Sequence, residues 1–234
     1  MTATIAVLGL VGVGVFALAL RLRRSRLLGL RRERWERAHT LTTERLTIRP
    51  MRASDRDEFL ATIDDEVRKW QGYDDARVDA VGAAFDSPLL VGEPHGCSAA
   101  LMICDESGAV VGRYSIEFLN GQARPNLGWW LGPSARGRGL GRESLVAVLG
   151  YVHGHLGYPS VLMGTASSNA PARDQIESTG AVQVDHGEHL LSNGESHDAV
   201  WYVHSDPATD QTSRPAGWQA PCMPRLPGVT APAR

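Results

Sequence analysis

The chain has 234 residues, 43% hydrophobic and 21% charged, enough for one ordinary domain with extra segments and a globular core. Its formal net charge of −2 hides an imbalance. Residues 21–37 hold eight arginines against two glutamates, so the remainder is acidic, which argues against a nucleic-acid-binding main domain. The three cysteines, Cys97, Cys104 and Cys222, lack metal-type spacing and cannot all pair within one chain, so reduced thiols of a cytoplasmic domain are expected.

Residues 2–20 carry no charge and are mostly Ala, Val, Leu, Ile and Gly. As a helix they span about 28 Å, close to the roughly 30 Å of a bilayer core. The start, Met1-Thr2-Ala3-Thr4, lacks the positive side chains of a signal peptide, and the apolar run ends in Arg21-Leu22-Arg23-Arg24-Ser25-Arg26. The expectation is an uncleaved transmembrane anchor over 1–21. The arginines and everything after them would be cytoplasmic, giving a single-pass protein of the cell membrane. Residues 22–40 follow as a basic juxtamembrane linker. It is either an interfacial helix meeting anionic headgroups or a solvated segment that sets topology.

A globular pattern begins at Leu41. Arg45-Leu46-Thr47-Ile48-Arg49-Pro50 alternates with period two and predicts a strand. Ala53-Ser54-Asp55 offers a cap for a helix with Phe59, Leu60 and Ile63 on its apolar side, and a second, weaker helix is predicted over 75–85. Residues 98–104 and 110–118 read as two strands joined by Asp105-Glu106-Ser107-Gly108, a hairpin by its turn chemistry. Asn126 to Leu131 is a further strand, and Arg142 to Leu156 a helix whose Leu145, Val148, Leu149, Val152 and Leu156 recur on one face. Beyond Pro159 come a strand over 160–165, a short helix opening at Asn169-Ala170-Pro171 and ending at Gly180, and strands near 181–185 and 199–204. Six of the thirteen prolines fall in residues 206–234, which predicts a disordered tail.

Between the strand 126–131 and its helix lies Arg136-Gly137-Arg138-Gly139-Leu140-Gly141. Glycines let a loop turn sharply and bring N–H groups close to a ligand. A helix opening at that loop adds unpaired donors and the positive end of its dipole, so the site suits a phosphate or pyrophosphate. In isolation such a loop is a flexible turn more often than a binding site; its strand–loop–helix context and Asn169 some thirty residues later favour binding.

With these motifs in this order, residues 41–205 resemble the GNAT N-acetyltransferase superfamily, whose acyl-CoA loop reads Gln/Arg-x-x-Gly-x-Gly/Ala. Leu41-Thr42-Thr43-Glu44-Arg45-Leu46, Ile48-Arg49-Pro50 and His197-Asp198-Ala199-Val200 look like the ribosomal-protein-alanine acetyltransferase-like branch. The resemblance implies an α/β (α+β) fold, a mixed, mostly antiparallel central sheet flanked by helices, here preceded by one transmembrane helix. It implies acetyl-CoA as donor, no metal, and an amine acceptor, a small molecule or a protein N-terminus, attacking directly in a ternary complex.

The residues implied for acetyl-CoA are Trp130, Leu131, Arg136, Gly137, Arg138, Gly139, Leu140, Gly141 and Asn169. Backbone at Trp130 and Leu131 would meet the pantetheine arm, and the loop would cradle the pyrophosphate. Glu117 is the candidate base; the competing reading is a surface strand carboxylate. Three features depart from the family: Ala181 stands where many members have Phe after the late glycine, and the other two bear on catalysis. Ile176 stands where many members have a thiolate-protonating tyrosine, and Asn126-Leu127-Gly128 lacks the usual central glutamate. They motivate an alternative, a catalytically silent acyl-CoA-binding or sensing module, beside a third, a membrane scaffold docking through its basic segment and tail. Asp185-His186-Gly187-Glu188-His189 has ligand-type residues but is expected in a turn, not a metal site.

Overall fold

The computed structural model describes residues 39–86, 98–117, 124–191 and 193–206. All described helices and strands lie in the unit Thr40–Arg234. In chain order they are β1 (Leu41–Thr42), β2 (Thr47–Pro50), α1 (Arg56–Ala61), α2 (Asp65–Gln71), α3 (Asp75–Ala83), β3 (Ser98–Cys104), β4 (Val110–Glu117), β5 (Asn126–Leu131), α4 (Leu140–Gly150), β6 (Ser160–Ala166), α5 (Ala170–Glu177), β7 (Val182–Leu190) and β8 (Ser196–Ser205). Short 3-10 turns precede α1 and follow α3 and β5.

Each element has a local cause. Asp105 Oδ1 accepts from the Ser107 and Ala109 N–H groups, and Gly108 takes φ 87°, so the β3–β4 turn closes on itself. Asp64 caps α2 by accepting from Val67 N–H at 3.0 Å, and Asp74 caps α3 by accepting from Arg77 N–H at 2.7 Å. Gly72 ends α2 in the left-handed region. In α4 the buried positions Leu140, Ser144, Leu145, Val148 and Leu149 form the face that the sequence pattern predicts.

The eight strands form one sheet in the order β1-β2-β3-β4-β5-β6-β8-β7. Every pair is antiparallel except β5–β6, which is parallel and joined at a single position, Asn126 opposite Leu162. Alternate strand residues face opposite sides and make two cores. Ile48, Leu101, Ile103, Tyr114, Ile116 and Leu127 pack with Leu140, Leu145 and Val148 of α4 and Ile176 of α5. Met102, Cys104, Val110 and Trp130 pack with Phe59, Val67 and Phe85 on the opposite face.

Four expectations change. The placement as a single-pass protein of the cell membrane is overturned. Among the described residues no helix is long and apolar enough to cross a membrane. Even α4 with the π-helical stretch Tyr151–His155 covers only residues 140–155, short of the roughly 20 a span needs. The anchor over 1–21, the linker up to residue 38 and the tail from 207 lie outside the described residues. Second, α2 has no counterpart in the predicted elements; it is seven residues long and owes its start to the Asp64 cap rather than to an apolar stripe. Third, the helix predicted over 142–156 starts two residues earlier and is π-helical from Tyr151. Fourth, residues 185–189 are not a turn but the middle of β7. This edge strand is exposed on both faces and so carries no hydrophobic alternation to read. His186 there pairs with Asp198 at 2.8 Å. Cys104 is a buried free thiol; Cys97 and Cys222 lie outside the described residues.

Candidate active site

The single paired position between β5 and β6 creates the site. Past Asn126 and Leu162, β5 stays laddered to β4 as far as Leu131, while β6 stays laddered to β8 as far as Ala166. The two strands part, and a cleft of about 1230 Å³ opens there, lined by Trp129, Gly141, Gly164, Asn169 and Gln175 among others. That is roomy beside the roughly 300–1,000 Å³ of a drug-sized ligand site.

Which backbone groups face the gap follows from register. Gly132 N–H donates to the Val111 carbonyl at 2.8 Å, so Leu131–Gly112 is a non-hydrogen-bonded pair and Trp130–Arg113 a hydrogen-bonded one. Trp130 therefore commits both backbone groups to β4, whereas Trp129 and Leu131 turn theirs toward the gap. The indoles also part. Trp129 stacks on Tyr114 with centroids 5.9 Å apart and donates to Gln175 Oε1 at 3.3 Å. Trp130 is buried on the other face, against Phe59 and Tyr73, and donates to Thr62 Oγ1 at 3.1 Å.

The glycine loop sits at the mouth of this gap. Gly137 (φ 70°) and Gly139 (φ 77°) take left-handed conformations that side chains resist. Glu143 N–H is the first to close an intrahelical bond, to Gly139 C=O at 3.2 Å. The N–H groups of Leu140, Gly141 and Arg142 precede it and have no helical acceptor, which makes the loop an anion cradle.

Two charged tethers hold the loop in place. Arg136 does not point at the cradle: its Nε donates to the Leu131 carbonyl at 2.9 Å and its Nη atoms meet Asp64 at 2.7 and 2.9 Å and Glu66 at 2.8 Å. The Arg136 hydrogen bonds hold the Asp64 carboxyl down from its ordinary 3.8 to about 2, against partial burial. On the other side, Arg45 donates from Nη1 to the Arg138 carbonyl at 2.9 Å and from Nε to Glu143 Oε2 at 2.8 Å. Thr43 Oγ1 and the Arg45 N–H both donate to Glu143 Oε1, at 2.6 and 2.9 Å. Partial burial pushes the Glu143 carboxyl up, and these hydrogen bonds outweigh it, leaving the group below its usual range.

Asn169 caps α5, accepting from Ala172 N–H at 3.3 Å, and lines the cleft. Arg138 is exposed and reaches the Ser134 carbonyl at 3.4 Å. Glu117 is half-buried at the end of β4 and accepts from Asn126 Nδ2 at 3.4 Å. Ile176 is fully buried in the core and offers no proton to the cleft. Sequence reasoning missed Gln175. Its Nε2 is buried with no partner, and a Cβ on Gly141 would come within 2.6 Å of it. The bare Gly141 is what admits this amide beside the cradle, and no local pattern announces it. Among the described residues no group of His, Cys, Asp and Glu has the arrangement of a metal site.

The model of the acetyltransferase (GNAT) domain matches residues 45–182. A search of curated proteins finds no match. Among solved structures, an acetyltransferase of the GNAT family from Bacillus anthracis superposes with TM-score 0.58 at 16% identity, covering 71% of this chain and 98% of the other. The ribosomal-protein-S5-alanine acetyltransferase from Vibrio fischeri gives 0.57 at 12% identity over 72% and 97%. Mycobacterium smegmatis RimJ in complex with CoA-disulfide gives 0.57 at 18% identity over 68% and 81%. With the family model spanning more than half its length and the split sheet and loop in place, this chain belongs to the GNAT acetyltransferase family.

Proposed function

We propose that this protein transfers an acetyl group from acetyl-CoA to a primary amine by direct attack in a ternary complex. The observation that carries the reading is the glycine loop standing at the mouth of the β5–β6 split, with donors at one end and open strand backbone along the other. The residues present fit acetyl-CoA. The N–H groups from Gly137 to Gly141 face a pyrophosphate, the exposed Arg138 adds positive charge, and the unpartnered Gln175 Nε2 lies beside them. Trp129 and the N–H of Leu131, rather than Trp130, offer backbone to an amide-bearing arm, because register commits Trp130 to β4 and Arg136 takes the Leu131 carbonyl. Arg136 acts by positioning the loop, not by touching phosphate. When bound, acetyl-CoA supplies an activated thioester carbonyl.

The chain itself supplies orientation and a place for the proton. Glu117 faces the cleft from β4 and accepts the proton of the attacking amine, directly or through one water. With Ile176 buried, no side chain at that position donates to the departing sulfur. The domain responsible is residues 41–205.

Calorimetric titration of the full chain with acetyl-CoA tests the donor half; absence of binding at millimolar ligand would sink it. Gly139→Glu, which strains a φ of 77° and puts a carboxylate into the cradle, should abolish the heat. A CoA-release screen across acceptor amines tests the transfer half. The buried Ile176 favours one second reading, a module that binds acyl-CoA without turning over, which would give the heat but no CoA release with any amine.

A further inference from the structure

The wall of the cleft opposite the glycine loop holds a cation without an anion. In β4, Tyr114 and Ile116 point into the α4 core, so Arg113, Ser115 and Glu117 project from the other face. There Arg113 lines the cleft with Trp70, Tyr73 and Arg77. Its guanidinium lies 5.4 Å from the centre of the Trp130 ring, and its Nε is buried with no hydrogen-bond partner.

Among the described residues it forms no ion pair. Glu66 in the same cleft meets Arg136 at 2.8 Å, and Glu117 accepts from Asn126. Burial pushes the Arg113 guanidinium below its ordinary range and the nearby Arg77 adds to this, while Tyr73, also as a hydrogen-bond partner, and Glu117 offset part of it. An enclosed guanidinium costs free energy unless an anion with matching hydrogen bonds meets it. Arg is also the side chain whose planar fork suits a carboxylate.

We propose that Arg113 receives a carboxylate carried by the acceptor, so that the substrate is a small amine with an acid group at its far end. This rests on the acetyl-transfer reading above and names its substrate class. Glu117 lies four residues along the same face of β4, roughly 13 Å away at about 3.3 Å per residue. The acid end sits at Arg113 and the amine end toward Glu117, next to the thioester gap. A compact acceptor fits because the guanidinium is covered by the Trp130 ring and Tyr73 rather than standing on an open surface.

The test uses the full chain saturated with CoA. Calorimetry compares glycine, β-alanine, 4-aminobutyrate and 6-aminohexanoate with their carboxamides. At least one acid should bind about tenfold tighter than its amide, as a charge-assisted hydrogen bond implies. In Arg113→Gln that ratio should fall to about one while CoA affinity stays within about twofold. Arg113→Lys should keep part of the preference, since it retains charge without the fork. Arg113→Met, which gives up the Trp130 and Tyr73 contacts, should also lose the preference while keeping CoA affinity within about twofold, the sign that it still folds.

Equal binding of every acid and its amide by wild type overturns the proposal, as does a preference that survives Arg113→Gln or Arg113→Met. Failure of CoA itself to bind overturns the acetyl-transfer reading and this one with it. CoA binding without acid preference overturns only this one.

Discussion

Asp64→Asn isolates the tether between α2 and the glycine loop. The native carboxylate caps α2 through Val67 N–H and forms the two-pronged pair with Arg136. Asparagine keeps the cap, so only the ion pair is lost. The drop of the carboxyl from 3.8 to about 2 corresponds to at most about 2.4 kcal/mol of linked stability. Side-chain exposure of 32% for Asp64 and 28% for Arg136 admits solvent screening, which reduces this to roughly 1 kcal/mol.

The sign follows from the depressed value. The contribution is present in full above the unfolded-state value near 4 and disappears as pH falls through about 2. Urea unfolding of wild type and Asp64→Asn should therefore differ by about 1 kcal/mol at pH 7 and converge toward pH 2. The same substitution should weaken acetyl-CoA binding several-fold, because Arg136 then loses what holds its Nε against the Leu131 carbonyl. A stability gap that stays constant from pH 7 to pH 2 would refute the ion-pair reasoning and leave only a cap effect.

Arg45→Met removes the second tether, and the Michaelis constant for acetyl-CoA should rise about tenfold with a smaller change in kcat, read by initial-rate kinetics. Glu117→Gln should lower kcat/KM for the amine by about tenfold or more, with acetyl-CoA affinity unchanged. An unaltered kcat/KM would return Glu117 to a surface carboxylate. Gly112→Ala drives a Cβ into the Trp130 carbonyl oxygen between β4 and β5, where backbone cannot yield, and should cost about 2 kcal/mol or more in chemical unfolding. Gln175→Ala should weaken acetyl-CoA binding a few-fold by calorimetry and cost about 1 kcal/mol in chemical unfolding, since Nε2 has no partner in the protein but Oε1 accepts from Trp129.

Local chemistry explains what was legible in the residue order. The β3–β4 hairpin follows from Asp105 and Gly108, and the core face of α4 from leucine and valine at helical spacing. The anion-binding character of residues 136–141 follows from glycines before a helix, and the order of elements from 41 onward sufficed for the fold family. These signals are short-range, and one turn or one helix face expresses them completely. Where local chemistry is weak, so was the reading. The capped α2 and the two-sided polar β7 carry no periodicity.

Tertiary structure decided the site. Arg136 and Arg138 look alike in the sequence, yet the first is locked to Asp64 across 72 positions and the second is exposed and reaches only as far as the nearby Ser134 carbonyl. Trp129 and Trp130 are neighbours, and only sheet register says which one opens its backbone to the gap. Gln175 and Arg113 reach the cleft, and Arg45 the glycine loop, from three distant segments, each through a contact or a missing partner that no spacing encodes. Residue order by itself determined the glycine loop and its helix, because the two are contiguous. Arg113 and its neighbours come from strands and helices brought together only by folding, so its unpartnered Nε exists only in three dimensions.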